Sequence, residues 1–221
     1  MGERLQLETC EAYLALPESG KGPGVIVLQE WWGLVPHIES ICDRLAAEGF
    51  VALAPDLYGG QSTKEPDEAG ELMMSLRVEE TATKLDSVVA FLAGHEAVTS
   101  AKVGIMGFCM GGKLAMYEAC RSTQIGACIN FYGVHPNFEP DYASLQAPLQ
   151  GHFAEHDDYS SPKVVDELDV LLTGLGKSFE FHRYAGAHHA FFNDTRPAVY
   201  QPEFAKLAHD RMVSFLRTHL D

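Results

Sequence analysis

Basic residues are scarce in this chain of 221 residues: 16 Lys and Arg stand against 31 Asp and Glu, a formal net charge of −15. So acidic a surface repels phosphate backbones and anionic membranes, which argues against nucleic-acid binding and membrane association. Long apolar runs are missing as well, so no segment reads as a bilayer span. The five cysteines (Cys10, Cys42, Cys109, Cys120 and Cys128) are odd in number and scattered. Without C-x-x-C spacing they make neither a disulfide framework nor a zinc-ligand pattern. Neither metal nor cofactor is expected. The start, Met1-Gly2-Glu3-Arg4-Leu5-Gln6, shows no secretory apolar stretch, and Gln6 stands where a myristoylation signal carries Ser or Thr. The cytoplasm is the expected compartment. No repeat, low-complexity segment or linker divides the chain, so residues 1–221 are expected to form a single domain. A monomer or weak homodimer is expected.

What is present is alternation. Leu5 to Leu16 reads as one or two strands, and Val25 to Leu28 is an unbroken apolar run of buried-strand type. Further strands are expected at Val51–Ala54, Val103–Phe108, Ile125–Tyr132, Pro148–Phe153 and Phe179–Tyr184. Helices are expected over Ile38–Glu48, most of Leu72–Leu92, the segment from Lys113, Pro162–Leu175 and Glu203–Leu220. Gln61 to Glu71 reads as a polar surface loop. The order predicts an α/β fold, a mostly parallel sheet with helices on both faces. Ligands bind at the carboxyl ends of such strands, so the loops after Leu28, Phe108, Phe153 and Tyr184 should surround one pocket.

The run Gly107-Phe108-Cys109-Met110-Gly111-Gly112 joins an apolar strand directly to a helix-forming segment. A sharp strand-to-helix turn needs neighbours without a Cβ, and it raises its apex residue where a reactant can approach. This is the pattern of a nucleophile elbow with cysteine at the apex. A thiol, with an ordinary pKa of about 8.5, needs a base. Two later segments supply the partners in the order nucleophile, acid, histidine. Asp157 and Asp158 follow one strand, and His188 and His189 follow the last. Asp157 lies nearer its strand end. Trp31, after the third strand, and Met110, after Cys109, occupy the positions whose amides form an oxyanion hole. Glu30 ends a buried strand, where an acid is costly without a partner, and reads as a carboxylate facing the thiol. Trp31, Trp32, Tyr58 and Phe108 are candidate walls of an apolar pocket.

These motifs together resemble the dienelactone hydrolase (carboxymethylenebutenolidase) family over nearly the whole length, Gly24 to Leu220. The carriers are Gln29-Glu30-Trp31-Trp32-Gly33, Ala54-Pro55-Asp56-Leu57-Tyr58, the Cys109 turn, Phe131-Tyr132-Gly133, the Asp157 loop and His189-Ala190-Phe191. The resemblance implies an α/β-hydrolase sheet of eight strands without a large lid domain. It implies a Cys-Asp-His triad on Cys109, Asp157 and His189, the family's patterns favouring these over Asp158 and His188. It also implies that Glu30 contacts the thiol and helps to activate it. Where family members place a carboxylate-holding arginine after the histidine, this chain has Asn193, with Arg196 three residues on. Arg77 is the candidate for a second such arginine. The expected activity is cofactor-free hydrolysis of a small ester or lactone through a thioester. The alternatives are a carboxylesterase or thioesterase of unrelated substrates and a non-catalytic ligand-binding protein of the same fold.

Overall fold

The computed structural model describes residues 2–135 and 138–220, so Met1 and Asp221, the ends of the expected domain, lie outside it. Its strands are β1 (Glu3–Gln6), β2 (Glu11–Ala15), β3 (Gly24–Leu28), β4 (Val51–Pro55), β5 (Val103–Phe108), β6 (Ile125–Phe131), β7 (Leu149–His156) and β8 (Phe179–His188). They form one sheet in the order β1-β2-β4-β3-β5-β6-β7-β8. The β1–β2 and β2–β4 pairings are antiparallel, and every other pairing is parallel. The mostly parallel sheet is what the alternation predicts, and its eight strands are what the family resemblance implies.

The apolar runs are explained by burial on both faces. On β3, Val25 and Val27 join the core beneath α1 (Pro36–Ala47) and α6 (Pro202–Leu220). Ile26 and Leu28 join the core beneath α3 (Val78–Ala93), α4 (Met110–Arg121) and α5 (Pro162–Gly174). The segment from Gln61 differs from expectation, because a helix, α2 (Pro66–Ser75), begins inside it. Pro66 at its first turn lacks only an amide that a helix start leaves unpaired, and Asp67 and Glu68 complement the positive end of the helix dipole. Among the described residues, no helix is long and apolar enough to cross a membrane.

Register brings the strand ends level. Leu28 pairs with Gly107, Phe108 with Phe131, Phe131 with His152, and His156 with His188. The residues that follow these strands therefore gather at one end of the sheet. Helix α4, which starts at the Cys109 turn, is buried along most of its length, including Glu118 at 0% exposure. Neither carboxyl oxygen of Glu118 has a hydrogen-bond partner among the described residues. Burial, with the charge of Asp86 beside it, raises this carboxyl to about 8, against a lowering pull from Arg121. The unfolded chain releases that proton near pH 4.5, whereas the folded chain keeps it up to about 8. Stability from this group therefore falls as pH rises through that interval, by on the order of 3–5 kcal/mol. Glu118→Gln should flatten this slope, as urea denaturation at pH 5 and pH 8 would reveal. An unchanged slope in the variant would disprove the assignment.

Candidate active site

Three non-glycine residues among those described have positive φ: Cys109 at 52°, Tyr132 at 43° and Ala190 at 64°. Each is held in a region costing about 1–3 kcal/mol. All three stand at the carboxyl end of the sheet, after β5, after β6 and beside His189. Strain gathered in one place marks a site.

The Cys109 turn follows from its glycines. A Cβ on Gly107 would overlap the Gly111 carbonyl, and one on Gly112 would overlap the Asn130 side chain. A Cβ on Gly111 would lie 2.5 Å from the carbonyl oxygens of both Leu28 and Gln29. With all three absent, α4 presses its first turn against β3 and β6. The Cys109 amide donates to the Phe131 carbonyl at 2.9 Å, and its own carbonyl accepts from the Gly112 amide at 3.0 Å. The half-buried thiol opens on a cavity of about 450 Å³.

The other predicted groups meet it there. His189 Nδ1 and Asp157 Oδ2 are 2.7 Å apart. Asp157 Oδ1 accepts from the amides of Tyr159 and Ser160, each at 2.8 Å, so the buried carboxylate is oriented on both oxygens. Burial disfavours the cationic imidazole of His189, but the Asp157 hydrogen bond and the adjacent Cys109 outweigh it and raise His189 to about 10. His189 is therefore strongly basic and holds a proton at neutral pH, and Asp157 confines its Nδ1 to the donor role. Asp158 and His188 line the cavity without joining this pair.

Glu30, Trp31, Trp32 and Arg196 line the same cavity. Glu30 is 2% exposed, and its Oε2 accepts from Asn193 Nδ2 at 2.7 Å. Asn193 is fixed in turn through its Oδ1, which takes the Thr195 amide and hydroxyl at 3.0 and 2.7 Å. The Arg196 guanidinium lies 5.4 Å over the Trp32 ring. Among the described residues, the Trp31 and Met110 amides donate no hydrogen bond.

Arg77 and Tyr58 correct the expectation that both contact substrate, since neither lines this cavity. Arg77 precedes α3, and its exposed guanidinium reaches Glu80 at 3.2 Å. The Tyr58 hydroxyl is buried against Met110 Sδ at 3.3 Å, so it supports the turn from below. Both border a separate depression between α2 and α3. Sequence reasoning missed the grip of Asn193 on Glu30, and also the His135, His156 and Tyr159 wall of the cavity. Burial, with the charges of Lys113 and His189, lowers His135 to about 4 and keeps that imidazole neutral. Among the described residues no group of three His, Cys, Asp or Glu side chains has metal-binding geometry.

The dienelactone hydrolase family model matches residues 10–220. The chain belongs to the dienelactone hydrolase family. It is 37% identical to the protein named usf of Aquifex pyrophilus, with 100% of both chains covered. It is 35% identical to an Aquifex aeolicus protein named "Putative carboxymethylenebutenolidase", again over 100% of both. A crystal structure titled as a putative dienelactone hydrolase from Klebsiella pneumoniae superposes with a TM-score of 0.90 at 28% identity, covering 99% of each chain. Membership in the dienelactone hydrolase family makes this protein a carboxylic ester hydrolase acting on small esters or lactones.

Proposed function

We propose that the protein hydrolyses a small ester or lactone by acyl transfer through Cys109, with His189 and Asp157 completing a triad. The observation that carries this reading is the 2.7 Å His189–Asp157 pair beside a cysteine held at positive φ. The proton of the thiol rests on His189, and the sulfur attacks the carbonyl carbon. The developing oxyanion is received by the Trp31 and Met110 amides. The tetrahedral intermediate collapses to a thioester as the imidazolium gives its proton to the leaving oxygen. His189 then deprotonates a water, which attacks the thioester and releases the acid and the thiol. Asp157 fixes the tautomer and stabilises the imidazolium throughout.

Glu30 presents a carboxylate to the same cavity, and Asn193 holds it without neutralising it. It influences the protonation and orientation of the thiol. Arg196, stacked on Trp32, gives the cavity a cation suited to a substrate that carries a carboxylate, as a dienelactone does. No cofactor takes part in these steps.

The test is acid quenching during turnover of p-nitrophenyl acetate and of cis-dienelactone, followed by peptide mapping. An acyl group on the Cys109 peptide is expected with both. Turnover with the acyl group on another residue would overturn the nucleophile. Turnover of the aryl ester alone would retain Cys109 and remove the carboxylate-lactone assignment.

A further inference from the structure

Tyr132 combines two costs that its packing does not require. Its φ of 43° is a genuine outlier for a bulky aromatic side chain. The surroundings enforce it. The Asn130 side chain accepts from the Gly133 amide at 2.8 Å and donates to the Gly133 carbonyl at 3.1 Å. The Ser160 hydroxyl donates to the Tyr132 carbonyl at 2.7 Å and accepts from the Val134 amide at 2.8 Å. The Ser160 amide is one of those that hold Asp157, so one loop sets both the aspartate and the tyrosine.

The second cost lies at the phenol. Tyr132 is 0% exposed, yet its hydroxyl has no hydrogen-bond partner among the described residues. A buried hydroxyl in that state costs about 1–3 kcal/mol, and a phenylalanine would pack equally well against Phe108, Phe131 and Phe191. The residue forms part of the wall of the cavity that holds Cys109 and His189. Burial raises the phenol well above its ordinary range, so it stays a neutral donor.

We propose that the Tyr132 hydroxyl donates a hydrogen bond to the leaving oxygen of the bound ester or lactone, an inference that rests on the acyl-transfer reading above. The reacting carbon bears two oxygens. The carbonyl oxygen is assigned to the amides of Trp31, after β3, and Met110. Tyr132 follows β6, which flanks β5 on the side away from β3. Its ring centre is 4.9 Å from that of His189, the group that delivers the proton to the leaving oxygen. A fixed neutral donor there stabilises the negative charge that grows as the carbon–oxygen bond breaks. Tyr132 itself loses no proton.

The experiment compares wild type and Tyr132→Phe on ethyl and p-nitrophenyl esters of one acid. The ethyl ester, with its basic leaving oxygen, should lose about 10²–10³-fold in kcat/KM, mostly through kcat. The p-nitrophenyl ester should lose less than about tenfold, because its leaving oxygen needs little help. Thermal stability should hold or rise, since an unpaired donor is gone. Alkylation of Cys109 by iodoacetamide, which has no leaving oxygen, should keep its wild-type rate. Equal losses on both esters, no loss on either, or slowed alkylation would each overturn the assignment. If Cys109→Ala silences an enzyme in which Tyr132→Phe hydrolyses the ethyl ester at the wild-type rate, only this inference fails. Wild-type turnover in Cys109→Ala, or none in the wild type, would remove the acyl-transfer reading and this inference with it.

Discussion

Cys109→Ala is expected to lower kcat/KM for small esters by at least about 10⁴-fold, with the fold intact. The substitution keeps the Cβ, so the strain at φ 52° is neither relieved nor increased, and the amide bond to the Phe131 carbonyl remains. Only the sulfur is lost. Thermal unfolding should accordingly stay within a few degrees of wild type, which separates lost chemistry from lost structure. His189→Gln should produce nearly the same loss, and the double variant little more, because residues acting as one unit are non-additive. Steady-state kinetics on the three variants would check this. Activity of Cys109→Ala within tenfold of wild type would remove the cysteine from the mechanism. Losses that simply multiply in the double variant would dissolve the triad into independent groups.

Gly111→Ala is expected to destabilise the protein by more than about 4 kcal/mol, or to prevent folding. The new methyl would sit 2.5 Å from two carbonyl oxygens, those of Leu28 and Gln29, and backbone cannot rotate away as a side chain can. Relief requires α4 to withdraw from β3, which lifts Cys109 and parts Met110 from Trp31. Gly70→Ala supplies the contrast. Gly70 lies inside α2, where a Cβ would meet nothing within 4 Å. There the substitution should raise stability by about 0.5–1 kcal/mol through helix propensity alone. Urea titration of both variants reads the difference. A Gly111→Ala protein as stable as wild type would mean that the helix is not pressed against the sheet as described.

Much of this was legible in the sequence because the constraints are local. Val25–Leu28 is apolar at every position because both faces of β3 are covered, and that leaves a plain trace. The glycines around Cys109 are a direct imprint of backbone contact, so spacing alone revealed the turn. Asp157 and His189 were placed by strand order, which fixes position to within a residue or two. Side-chain direction has no such trace. Arg77 and Arg196 were equal candidates, and only the path of the chain sends one to Glu80 and the other over Trp32. The bond between Glu30 and Asn193 joins residues 163 positions apart, and nothing near either one announces it. The positive φ of Tyr132 had one visible sign, the polar Asn130 within an otherwise apolar strand. That residue is buried because it is the brace of the turn.

On the acyl-transfer reading proposed above, the reactive groups and part of the cavity wall have different supports. Cys109, Asp157 and His189 stand directly on strand ends, and the Cys109 amide is itself part of the ladder. Met73, His135, Tyr159 and Val199 come from α2 and from the connections between elements. The proposed chemistry thus rests on strand ends, whereas the wall is carried partly by strand ends, through Tyr132, His156 and His188, and partly by connecting segments. A lineage can rewrite the connecting segments, and with them the range of compounds admitted, while the reacting atoms keep their positions. The same division gives a protein engineer a short set of positions at which to seek new substrates without disturbing the turn at Cys109.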